Sequence, residues 1–243
     1  MSKKSLTERL RKKRDELRAK SEKSGNIVFI KEGTIRIRIL PIEPDQNGED
    51  QDFSWEIPHF YLGQDIKGVI SPSAIGLPCP ILEKQKELAK SSDPDDKDLA
   101  KMLTPRTRHL IPVLIYKDES GKNPDPDSYG KLLMLTNSLM SQIYDYYLDP
   151  EWGDLTDPIE GYDLKITRKG SGKTDTEYTV MPMKTSRLPD KYAKPINLRK
   201  KVEEVIPSYK EVEEKLNQFL GISNEDTEDL PVKRVKKVKK VRE

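Results

Sequence analysis

A chain of 243 residues with 34% hydrophobic and 35% charged residues can bury one moderate core, and the surplus of charge predicts extensions that stay outside it. No run of about 18 apolar residues is present and the N-terminus lacks the apolar stretch of a signal peptide, so no membrane partner is expected. One cysteine, Cys79, excludes an internal disulfide and a cysteine-rich zinc site, and predicts a reducing compartment.

The net charge of +2 conceals a segregation. Residues 1–23 carry ten Lys/Arg against four Asp/Glu, and residues 231–243 carry seven against one. The remainder holds 27 basic and 37 acidic residues, a net charge of −10. Basic ends suit anionic polymers or acidic partner surfaces. In the first 23 residues, Ser5 and Glu8 form a capping box, and Leu6, Leu10 and Leu17 fall near one face of a helix whose other faces include Arg9, Arg11 and Arg14. So thin an apolar stripe predicts docking on another molecule or on a neighbouring copy.

The body, residues 24–190, opens with NIVFIKEGTIRIRILPIEP, where Ile35, Ile37 and Ile39 alternate with Arg36 and Arg38. This is a strand with one core face and one face presenting two guanidiniums. FSWEIPHFYLG is dense in rings: Phe53, Trp55, His59, Phe60 and Tyr61. Residues 58–104 read as a helical insertion, with PILEKQKELAK starting at Pro80 and DKDLAKMLT continuing after an acidic break. RHLIPVLIYKD is an apolar strand preceded by Arg106 and Arg108, KNPDPDS a turn, and KLLMLT a further strand. SLMSQIYDYYL is a helix with Leu139, Ile143 and Tyr147 on one face, and YDLKITR with TEYTVMPM forms a hairpin. Residues 191–221 hold two helical segments capped by Gly221, and residues 222–243 are an acidic-then-basic tail without a core.

Three constellations bear on chemistry. GSGKT, at the tip of the hairpin, imitates a phosphate-binding loop, yet Thr167 stands where the first glycine belongs and a strand follows instead of a helix. A basic hairpin turn carrying Arg168, Lys169 and Lys173 is the better reading. Asp149, Glu151, Asp154, Asp157 and Glu160 invite a calcium or two-metal reading, but Asp154 occupies the position where a calcium loop needs glycine, and turn-forming steps explain the composition. No catalytic signature surrounds the only two histidines, His59 and His109, so no enzyme and no cofactor are expected. Short strands with outward arginines and clustered aromatics instead describe an OB-type barrel, where bases stack on rings and a basic groove follows the phosphates. The fold class expected is mainly β with helical insertions: an OB-like barrel core, an N-terminal basic helix and C-terminal helices.

The order RIRILP, HFYLG, ISPSAIGLPCPI, TPRTRHLIPVLIYKD, LDPEWGDLTDPIEGYDLKITR and TEYTVMPM resembles the single-stranded DNA-binding, helix-destabilising proteins of tailed bacteriophages over residues 1–190. The resemblance implies sequence-tolerant coating of unpaired DNA in replication, recombination and repair, in the cytoplasm of the infected bacterial host. It also implies protomer contacts through residues 1–23 and contacts with other replication proteins. Some members hold zinc with a histidine and three cysteines; here only His59 and Cys79 fit, so no metal is carried over and the insertion must rely on its own packing. Phosphate contacts are expected from Arg36, Arg38, Arg106, Arg108, Lys117 and Lys131, and stacking from Trp55, Phe60, Tyr61, Tyr116 and Tyr129. An RNA-binding or scaffolding factor, and a metal-dependent nuclease using the carboxylates between Asp149 and Glu160, stay open as alternatives.

Overall fold

The computed structural model describes residues 26–45, 47–49, 51–63, 66, 68–170 and 175–222. The N-terminal arm with Leu6, Arg9, Leu10, Arg11, Arg14 and Leu17, the hairpin tip with Lys173, and the tail beyond 222 lie outside the described residues. Among the described residues, eight strands form one mixed sheet: β1 (Ile27–Phe29), β2 (Gly33–Ile39), β3 (Trp55–Phe60), β4 (Val69–Ile70), β5 (Arg106–Ile115), β6 (Lys131–Thr136), β7 (Tyr162–Lys169) and β8 (Glu177–Thr185). Helices α1 (Pro80–Ala89) and α2 (Pro94–Met102) fall between β4 and β5, α3 (Asn137–Leu148) follows β6, and α4 (Leu198–Val205) and α5 (Tyr209–Leu220) follow β8.

The strand order is β1-β6-β5-β2-β7-β8, with β3 on the first half of β5 and β4 beside β3. All pairings are antiparallel except β1 with β6. No ladder joins β1 to β8 among the described residues, so the sheet does not close into a hydrogen-bonded barrel. It is nevertheless rolled. Phe29 lies level with Met134 and Leu110, whereas Ile37 pairs with Ile115. In a flat sheet Gly33 would stand about 30 Å from the row of Phe29, yet only three residues separate them, a span of at most about 14 Å. β2 therefore bends at Ile37, leaving β5 for β7.

Alternation decides which side chains line the roll. Ile37 and Ile39 of β2, Ile111 and Val113 of β5, Leu133 and Leu135 of β6, and Leu164 and Ile166 of β7 point inward, joined by Leu139, Met140 and Ile143 of α3. Thr136 caps α3 by accepting from the Leu139 N–H, so the helix starts directly where β6 ends. Leu139 and Ile143 are buried as their spacing suggests, while Tyr147, on the same face, is exposed at the helix end. The outer face of the sheet is covered in its middle by α4, whose Leu198, Val202 and Val205 pack on Ile57, Leu110, Leu132 and Met134. Leu188, Tyr192 and Ile196 cover Leu40 and Leu114. β7 and β8 form the expected hairpin, Lys169 opposite Glu177, and β8 is the next element after β7 among the described residues.

Candidate nucleic-acid interface

The outward positions of β5 run from Arg106 and Arg108 at one end to Tyr116 just past the other, about 30 Å apart. The sequence placed these basic and aromatic residues in one trough. The covered middle of the sheet separates them into two sites of different character.

At the β2/β7 end the guanidiniums are committed to the fold. Arg38 is 1% exposed. It donates through Nη1 to Asp163 Oδ1 at 3.3 Å and to Ser186 Oγ at 3.3 Å, and through Nη2 to the Asp157 and Ser186 carbonyls, both at 2.9 Å. Arg36 grips the other Asp163 oxygen through Nε at 2.9 Å and Nη2 at 2.7 Å, while Nη1 donates to the Glu119 carbonyl at 2.9 Å. Tyr116 lies under the Arg36 guanidinium, 5.4 Å from it, and donates its hydroxyl to Asp163 at 3.2 Å. Burial, then the charge of Asp163, pushes this phenol up to about 12. Lys165 pairs with Glu119 at 2.6 Å, so this cation too is engaged within the protein. The expectation that Arg36 and Arg38 present their charge outward is corrected: Asp163 compensates the desolvation that would otherwise keep them exposed.

Of the other expected contacts, three rings are engaged within the fold. Phe60 is buried among Leu62, Val69, Ile81 and Leu103, because strand alternation turns it to the opposite face from Tyr61. Trp55 is half-buried and donates its indole N–H to the Ala74 carbonyl at 3.0 Å. Tyr129 is half-buried against Tyr192, its hydroxyl donating to the Lys194 carbonyl. Lys117 is exposed beside Asp125, 3.9 Å away, and Lys131 is half-buried at the start of β6.

At the opposite end, the sequence-derived residues converge. Tyr61, 47% exposed, has the Arg106 guanidinium 5.3 Å and the Arg108 guanidinium 5.6 Å from its ring centre. Arg108 also donates from Nε at 3.2 Å and from Nη2 at 2.9 Å to the Tyr61 hydroxyl. The edge of His59 braces the same ring at 4.7 Å. No carboxylate among the described residues pairs with either arginine, in contrast to Arg36 and Arg38. Opposite Arg108 stands Thr136, the cap of α3, so the positive end of that helix emerges at the same rim. Two cations around one accessible ring can take a phosphate and a base at once. One exposed aromatic on this face was missed from sequence: Phe29 of β1, whose apolar neighbours Ile27, Val28 and Ile30 disguised it as core.

The sequence model of the gp32 DNA binding protein like family matches residues 31–220. The chain belongs to this DNA-binding family. No curated protein matches it.

His59 and Cys79 are the two soft ligands of the insertion, and no group of three or more His, Cys, Asp or Glu is placed to hold a metal among the described residues. Cys79 is buried in an apolar cluster. Val212 and Leu216 of α5 complete the cluster of Phe60, Leu62, Ile81, Leu88, Ala100 and Leu103, and Tyr209 donates its hydroxyl to Glu83 at 2.8 Å. The insertion is thus packed by a helix from far along the chain as well as by its own residues, which corrects the expectation of self-sufficiency. Carboxylates of the 149–160 loop are likewise occupied by local turns. Asp149 accepts from the Glu151 N–H, Asp154 from the Thr156 N–H and hydroxyl, and Asp157 from the Ile159 and Glu160 N–H groups. These bonds hold the Asp157 carboxyl below its ordinary value.

Proposed function

We propose that this gp32-like chain is a non-enzymatic, sequence-tolerant binder of single-stranded DNA that coats unpaired strands in phage replication, recombination and repair, in the cytoplasm of an infected bacterial cell. The observation that carries the reading is the exposed Tyr61 ring between two guanidiniums free of carboxylate partners, in a chain of a DNA-binding family. The rolled sheet, read as an OB-like barrel left open at its edges, offers the rim on which such a strand lies. Stacking demands an unpaired base, because a duplex keeps its faces covered, whereas phosphate contact is indifferent to sequence. Capture of unpaired strands then shifts duplexes toward melting by mass action. The basic arm of residues 1–23 joins neighbouring protomers along the strand, and other replication proteins dock on the coated DNA.

The test is a competition titration of a labelled unpaired DNA oligomer against matched duplex and matched RNA. The expected outcome is displacement by unlabelled single-stranded DNA at concentrations at which duplex leaves the complex intact. Preferential displacement by RNA would transfer the protein to the RNA-binding alternative, since that preference requires contacts to the 2′-hydroxyl.

A further inference from the structure

We infer that Phe29 is a second base-stacking residue of this interface, with Lys31 beside it on the phosphate path; the inference rests on the single-strand reading above. Phe29 is 57% exposed, although Ile27 packs with the cluster under α4 and Val28 with the interior of the roll. Register places it. Phe29 is level with Met134, Met134 with Leu110, and Leu110 with Trp55, all on the outer face. One outward step along the sheet stand Thr136 and Arg108, opposite each other. β1 is two strands from β5, so the Phe29 and Arg108 backbones are about 10–12 Å apart. A nucleic-acid strand crossing the sheet obliquely, from the end of β3 over β5 and β6 to β1, therefore meets Tyr61, the arginine pair, the start of α3 and then Phe29.

The segment is also held in place. Arg168 donates from Nη1 to the Ile30 carbonyl at 2.7 Å, pinning the backbone between Phe29 and Lys31 to β7. β1 is an edge strand, paired only with β6 among the described residues, and the ring on its outer face is open to an approaching base. A rigid ring flanked by a cation loses little conformational freedom on binding.

The experiment uses the full chain and its Phe29→Ala, Phe29→Leu, Phe29→Trp, Lys31→Ala and Arg108→Ala variants, titrated with a labelled oligothymidylate at fixed salt and melted without DNA. Phe29→Ala and Phe29→Leu should weaken binding about five- to a hundredfold at unchanged melting temperature, and Phe29→Trp should bind as the parent with its added fluorescence quenched. Lys31→Ala should flatten the salt dependence. If Phe29→Ala or Phe29→Leu binds like the parent while Arg108→Ala is weakened, Phe29 lies outside the interface and the inference is overturned with the function intact. Lost affinity accompanied by an early melt would also overturn it, by making the role structural. Absence of binding by the parent chain would instead overturn the single-strand reading itself.

Discussion

Arginine is used in two opposite ways in this molecule, and its neighbours decide which. Arg36 and Arg38 alternate with isoleucines as Arg106 and Arg108 flank an apolar strand, and from sequence the two pairs look equivalent. What separates them is Asp163, more than 120 positions away and brought opposite β2 only when β7 pairs with it. No local pattern could announce that partner, whereas the common face of Arg36 and Arg38 followed from strand periodicity. Removing one member of such a buried group leaves an uncompensated charge, at a typical cost of about 3–5 kcal/mol. His59 gives a residue-level prediction. Burial, then the positive charges of Arg108 and Lys215, lower it from 6.5 to about 4. Between those values the unfolded chain binds a proton that the folded chain refuses. Its stability contribution is therefore intact above pH 6.5 and lost as pH falls toward 4. Urea unfolding should show about 2 kcal/mol less stability at pH 5 than at pH 7.5 from this group, a slope that His59→Gln removes. Equal pH slopes in the parent and the variant would refute the assignment.

At the scale of elements, what the sequence could tell and what it could not divide along range. Pro80 and Pro94 open α1 and α2, Gly221 closes α5 in the left-handed conformation with φ of 70°, and the hairpin of β7 and β8 lies on alternating residues, all local signals. The destination of α5 was not local. Its apolar stripe, read from sequence only as part of a C-terminal helical segment, closes the insertion around the buried Cys79. Leu216→Ala should therefore cost about 2–5 kcal/mol in equilibrium unfolding, and a chelator should leave the parent's unfolding midpoint where it was. A midpoint lowered by chelator, or an Ala variant as stable as the parent, would contradict this packing.

For the whole molecule, composition gives a basic-ended, acidic-bodied chain, and the rolled sheet distributes the cations of that body unequally: Arg36 and Arg38 share Asp163 and Lys165 is paired with Glu119, whereas Arg106 and Arg108 at the root of the insertion surround Tyr61. A single trough lined by all the predicted residues does not exist, because α4 and the segment before it occupy the middle of the face. The most direct test is the salt dependence of binding to an unpaired oligomer by the parent chain, an Arg106→Ala/Arg108→Ala variant and an Arg187→Ala control, whose arginine is exposed and paired with Asp190. Each lost phosphate contact should reduce the slope of log affinity against log salt by about 0.7, so the double variant should fall by about 1.4 and bind more weakly, with the control unchanged. A double variant that keeps the parent's slope and affinity would contradict the assignment of the Tyr61 rim as the nucleic-acid contact.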